Sequence, residues 1–149
     1  QVVVQVNGVE QLPEGLPTWI GQLQGKDVLL NEQVMHEAVR RERQFQLIDT
    51  ISTLKIDVYP RELVPGAMDR TRMIEIFPGE RFPVSSLPDL AISKLIWISK
   101  GSHKSRRDVK QLFRGATEDD RQTVREFAYD LSLLPLLDEV LAGPAEYAL

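Results

Sequence analysis

Leu54-Lys55-Ile56-Asp57-Val58-Tyr59 is the stretch on which the reading of this 149-residue chain turns. Leu54, Ile56 and Val58 alternate with Lys55, Asp57 and Tyr59, the period-two pattern of a β-strand with an apolar and a polar face. Asp57 is therefore expected mid-strand on the open face of a sheet, a position suited to a metal ion or to phosphate chemistry. Just upstream, Gln44 to Asp49 has the same strand character. The link Thr50-Ile51-Ser52-Thr53 is short enough to close the two strands into an antiparallel hairpin. Asp49, at the end of the first strand, reads as a turn residue.

Toward the N-terminus, Val2-Val3-Val4-Gln5-Val6 is a β-branched run that reads as a buried strand, followed by the turn signal Asn7-Gly8. Leu16 to Gln24 reads as a short helix with Pro17 in its first turn and Gly25 at its end. Asp27 to Leu30 is a brief extended piece. Asn31 is placed to cap a helix reaching about Arg41, with Val34, Met35, Ala38 and Val39 as its apolar stripe.

Toward the C-terminus, a short helix is expected after Pro60, then a strand from Arg72 to Phe77, a turn at Pro78-Gly79 and a return strand from Arg81 to Val84. From Ser86 the pattern becomes helical. Ser86-Leu87-Pro88-Asp89 has the form of a capping-box start with proline in the first turn. The helix to about Lys100 is apolar on nearly every side, which predicts a central buried helix stopped by Gly101. A basic helix follows to Arg114, with Val109, Leu112 and Phe113 inward. Thr117 caps another with Val124, Phe127, Ala128 and Leu131 inward, and Leu133 to Leu141 forms a last one. The tail after Gly143 reads as frayed, and Trp19 and Trp97 read as core residues. Strands first and helices second predict an α+β fold: a small mixed β-sheet with a helical C-terminal half. One domain over 1–149 is expected, mainly sheet with short helices over 1–85 and helical over 86–149.

Composition narrows the function classes. Hydrophobic residues at 42% and charged residues at 27% suit a globular protein with a real core. No run approaches the roughly 18 apolar residues of a membrane span, and no signal-peptide pattern opens the sequence. With no cysteine there is no disulfide framework, thiolate zinc site or cysteine nucleophile, and a cytoplasmic protein without membrane association is expected. His36 and His103 do not form a metal-ligand cluster. Ser102-His103 lacks the orienting acid that a serine hydrolase requires. The net charge of −4 argues against nonspecific coating of nucleic acid. Charge is segregated, however. Lys94, Lys100, Lys104, Arg106, Arg107, Lys110 and Arg114 stand against Asp108 alone, whereas the balance is acidic from Glu118 onward. Two readings fit: complementary charges on packed neighbours, or the basic wall of a phosphate-binding cleft.

A family likeness is carried by a series of pieces in order. These are Leu30-Asn31-Glu32, Ala38-Val39-Arg40-Arg41, Gln44 to Asp49, Leu54 to Tyr59, Val84 to Leu95, and Arg106-Arg107-Asp108-Val109. Over 28–141 the chain resembles nucleotidyltransferases of the DNA polymerase beta superfamily, above all the small bacterial branch related to abortive-infection toxins. In that family a Gly-Ser turn holds nucleotide phosphates, two aspartates open the following strand, and a third carboxylate comes from a neighbouring strand. The resemblance implies Mg2+ as cofactor and a nucleoside triphosphate as donor, with RNA, a protein or a small molecule as hydroxyl acceptor. Paired cations about 3.5–4 Å apart clamp the attacking and leaving oxygens in such chemistry. Asp57 matches the third carboxylate, a catalytic and metal-binding residue. Lys94, Arg107 and Asp108 match substrate-binding positions.

Each of these residues also has a plainer role. Asp57 can pair with Lys55 or an arginine, Lys94 can snorkel from an apolar sector, and Arg107 can be a surface arginine. Asp108 can pair with Lys104 or with Lys94. The paired aspartates are expected at or just before the Val2 strand, about where Gln1 stands, and no Gly-Ser turn precedes it. As written, the chain is thus expected to be catalytically incomplete. It would be the remainder of a longer enzyme, a degenerate copy, or half of an assembly formed with its own copy or a partner chain. The competing expectation is a noncatalytic interaction or phosphate-binding module, such as a toxin–antitoxin component.

Overall fold

The computed structural model describes residues 2–5 and 12–143, with side chains at 16–18 and 20–143. Gln1, Val6, the Asn7-Gly8 turn, the Trp19 side chain and the tail after Gly143 lie outside the described residues. The fold is α+β, and the chain divides into two compact units, Gln1–Glu62 and Leu63–Leu149. Each unit has an apolar core of its own.

The first unit is built on a mixed sheet of β1 (Val2–Gln5), β2 (Val28–Leu29), β3 (Phe45–Asp49) and β4 (Lys55–Tyr59), in the order β1-β4-β3-β2. β1 runs parallel to β4, while β3 is antiparallel to both β4 and β2. The β3–β4 hairpin forms as its alternation predicts, with Phe45 opposite Val58 and Leu47 opposite Ile56. That apolar face meets α1 (Leu12–Leu23) and α2 (Glu32–Arg40), and Leu16, Ile20, Met35, Ala38, Val39, Phe45, Leu47 and Val58 form the core.

Asn31 caps α2, its side-chain oxygen accepting from the Val34 N–H at 3.0 Å. The buried stripe of α2 is narrower than expected. Met35, Ala38 and Val39 are buried, but Val34, at the edge of that face, is exposed. α1 begins before Leu16, so Pro17 lies inside the helix rather than in its first turn, and its missing N–H interrupts the ladder there.

The second unit contains a two-stranded hairpin, β5 (Arg72–Phe77) and β6 (Glu80–Val84), and four helices: α3 (Leu87–Ser99), α4 (Lys104–Gly115), α5 (Glu118–Asp130) and α6 (Leu134–Ala142). α3 is central, as its composition predicts. Ala91, Ile92 and Leu95 are fully buried among Val109 of α4, Val124 and Ala128 of α5, and Leu137 and Val140 of α6. Trp97 is only half-buried, with the Lys100 ammonium 5.1 Å from its ring centre. Gly101, at φ 99°, takes the left-handed conformation that ends α3. Thr117 and Asp120 close a reciprocal capping box on α5.

The short helix expected after Pro60 does not form. Residues 63–71 instead make successive tight turns, Val64 to Ala67, Ala67 to Arg70 and Met68 to Thr71. Pro65 cannot donate to a helical ladder, and Gly66 adopts φ 73°, outside helical space. A β-carbon at Gly66 would stand 2.8 Å from Nη1 of Arg70, the far end of a long side chain, so the positive φ is the main reason for glycine there. No helix among the described residues is long and apolar enough to cross a membrane.

Candidate functional site

Asp57 sits at the middle of β4, with Val3 of β1 beside it on one side and Gln46 of β3 on the other. The Gln46 amide Nε2 donates to Asp57 Oδ1 at 2.7 Å, as expected of directly opposed residues that share a face. The face is not open, however. Asp57 is 0% exposed, and so is Val58, which points the other way. Both sides of β4 are covered at this point, which strand alternation alone could not reveal. A carboxylate so placed needs hydrogen-bond donors to offset its lost hydration, and Gln46 supplies one. Tyr59 lies on the same face two residues on, also buried. Burial pushes its hydroxyl pKa up to about 12, and the negative charge of Asp57 adds to the shift.

Asp49 has the turn role read from its position. Its Oδ1 accepts from the backbone N–H groups of Ile51 at 2.9 Å and Ser52 at 2.8 Å. These bonds, that from Ser52 first, hold the carboxyl below its ordinary pKa.

The other candidates belong to the second unit. Lys94 of α3 and Asp108 of α4 form an ion pair, Nζ to Oδ2 2.9 Å, so Asp108 takes the cross-helix partner rather than Lys104. Arg106 pairs with Glu139 of α6 at 2.9 Å, and the Lys110 ammonium donates to the Gly143 carbonyl at 3.0 Å. Complementary charge between packed helices thus accounts for part of the basic run. Arg107, with Lys104 and Arg114, is exposed and forms no ion pair among the described residues. At the C-terminal end of α4, Lys110, Phe113, Arg114, Arg121, Leu141 and Gly143 line a pocket of about 260 Å³. Arg121 is anchored there through Nε to the Phe113 carbonyl at 3.0 Å.

The strongest polar contact in this unit escaped the sequence reading. Asp89, 1% exposed, receives Arg70 Nε at 3.0 Å and Nη2 at 2.6 Å, and also the Ser86 hydroxyl at 2.5 Å. Arg70 further donates to the Pro65 carbonyl at 2.8 Å and lies 4.8 Å from the centre of the Phe127 ring. Asp89 was legible as a helix-start residue. Arg70, 19 positions away across a hairpin, carried no local signal.

Magnesium asks for an octahedral shell of oxygens and, for nucleotidyl transfer, carboxylates that bridge two ions. Among the described residues no three acidic or histidine side chains gather in a metal-binding group. Asp57 brings one carboxylate, already bonded to an amide. The described residues therefore do not make such a centre by themselves. Neither protein-family models nor curated proteins match this chain.

Proposed function

We propose that this chain is a nucleotidyltransferase-like protein in which β4 presents Asp57 as the third carboxylate of a nucleotidyl-transfer site, and that the described residues alone do not perform the transfer. In the reaction the resemblance implies, a hydroxyl oxygen forms a bond to the α-phosphorus of a nucleoside triphosphate, and the bond to the pyrophosphate leaving group breaks. The observation that most supports this reading is the pairing of β1 with β4. The strand from which the paired aspartates are expected runs parallel to the Asp57 strand, with Val3 in register beside Asp57. Neighbouring strands lie about 4.8 Å apart, a span across which carboxylates can share cations.

The alternative is a noncatalytic module that binds phosphate groups or a partner, as in a toxin–antitoxin pair. It is favoured by the complete burial of Asp57 and by the exposed Arg107, which forms no ion pair among the described residues. Calorimetric titration with a nucleoside triphosphate, with and without Mg2+, separates the two. Metal-dependent binding that is lost in Asp57→Asn supports the transferase reading. Metal-independent binding that survives Asp57→Asn and falls in Arg107→Ala supports the module. If no triphosphate binds under either condition, the transferase and phosphate-binding readings both fail, and of the alternative only partner binding is left.

A further inference from the structure

Both faces of the β5–β6 hairpin are exposed, with Met73 at 51% on one, and they differ in what their charged groups do. A bulge between Glu75 and Phe77 shifts the register, so Phe77 stands opposite Glu80. One face therefore carries Met73 and Glu75 with Pro83 and Arg81, and its charged groups fold onto the hairpin's own backbone. Arg81 Nη2 donates to the Met73 carbonyl at 2.9 Å, and Glu75 Oε1 accepts from the Gly79 N–H at 3.1 Å. The opposite face carries Arg72, Ile74 and Phe77 with Val84, Phe82 and Glu80. The Phe77 and Phe82 rings meet edge to face at 6.4 Å, as residues on one face should. Ile74, Phe77 and Phe82 are 47%, 58% and 41% exposed.

An isolated two-stranded hairpin is marginal in water unless a face is packed or a strand is added. Strand addition is poorly served here, because Pro83 offers no N–H on β6 and the bulge breaks the edge of β5. Face packing remains, and the charges say against what. Arg72 lies at the open end of the apolar face and Glu80 at its turn end. Four residue steps of β6, together with the offset between strands, hold these ends about 14 Å apart, and the two charges do not pair within one hairpin. Neither forms an ion pair with any other described residue. When two such faces stack in opposite directions about a two-fold axis, each Arg72 meets the other copy's Glu80 and the apolar centres coincide. A surface complementary to itself in this way is the signature of an isologous dimer.

We propose that the Arg72–Ile74–Phe77–Phe82–Glu80 face is a homodimer contact, closing two hairpins face to face into a four-stranded sandwich. This is independent of the transferase reading. The three apolar side chains expose on the order of 300 Å², well under the roughly 800 Å² per partner of a standard interface, so the dimer is weak and concentration-dependent.

Sedimentation of the full chain from micromolar to millimolar concentration tests it. The wild type should approach twice the chain mass of 17.0 kDa at the upper end, with association weakening as salt is raised. Arg72→Glu alone and Glu80→Arg alone should each remain monomeric. The two single variants mixed in equal amounts, or both changes in one chain, should associate again, because opposite charges then meet at both ends. Phe77→Ser should abolish association with its helical circular dichroism unchanged. A wild type that stays monomeric at millimolar concentration overturns the proposal. So does a dimer indifferent to these changes, or association that occurs only with a different protein.

Discussion

Removing the guanidinium from the Arg70–Asp89 pair tests the energetic centre of the second unit. In Arg70→Met the Asp89 carboxylate stays buried at 1% exposure and loses three close N–H to oxygen contacts, keeping the Ser86 hydroxyl and a place in the first turn of α3. Breaking a buried ion pair from one side costs about 3–5 kcal/mol. The arginine side chain is 37% exposed, so water can partly replace it, and the low end of about 3 kcal/mol applies. Loss of the contact with the Phe127 ring adds about 0.5 kcal/mol. At a urea dependence of about 2 kcal/mol per M, the unfolding midpoint should fall by about 1.8 M. Trp97 fluorescence in a Trp19→Phe background follows this unit specifically. The second half of the test is Arg70→Met with Asp89→Leu. Without a stranded charge the double variant should be less destabilised than Arg70→Met alone, a coupling of about 2 kcal/mol. A single-variant cost under about 1 kcal/mol, or simple additivity in the double variant, would refute the reasoning.

Two further outcomes follow from local geometry. The Tyr59 hydroxyl, with a folded pKa of about 12 against about 10 unfolded, holds its proton longer when folded. Its contribution to stability is therefore full below pH 10 and lost as pH rises toward 12. Tyr59→Phe should remove that part of the alkaline decline, and Asp57→Asn should bring the late phenolate absorbance step to lower pH. Thr117→Ala removes the acceptor for the Asp120 N–H at 3.1 Å and opens the capping box. It should cost about 1 kcal/mol in urea unfolding and leave the other helix starts intact.

Local elements were largely legible because their signals lie within a few residues. Asn31, Ser86 and Thr117 each cap the helix that follows them. Alternation from Phe45 to Tyr59 places the apolar face of the hairpin on the core side. Where the reading failed, competition between local signals decided the outcome. The short helix expected after Pro60 gives way to turns, because Pro65 and the left-handed Gly66 redirect the chain there. The candidate site was legible only in part. Asp108 was narrowed to two lysines, and the helix packing selected Lys94.

Periodicity, caps and breakers reach only as far as one turn or one strand, and within that range the amino-acid order alone decided which segments became strands and helices and which way their apolar faces point. Whether a face is then covered depends on what arrives from distant parts of the chain, and no local pattern encodes it. Folding in three dimensions buried Asp57, joined Arg70 to Asp89, laid β1 alongside β4 and left the Ile74–Phe77–Phe82 face bare. A buried carboxylate must find donors and an exposed apolar face gains by losing water, so those long-range placements decide what chemistry and what contacts remain to this protein.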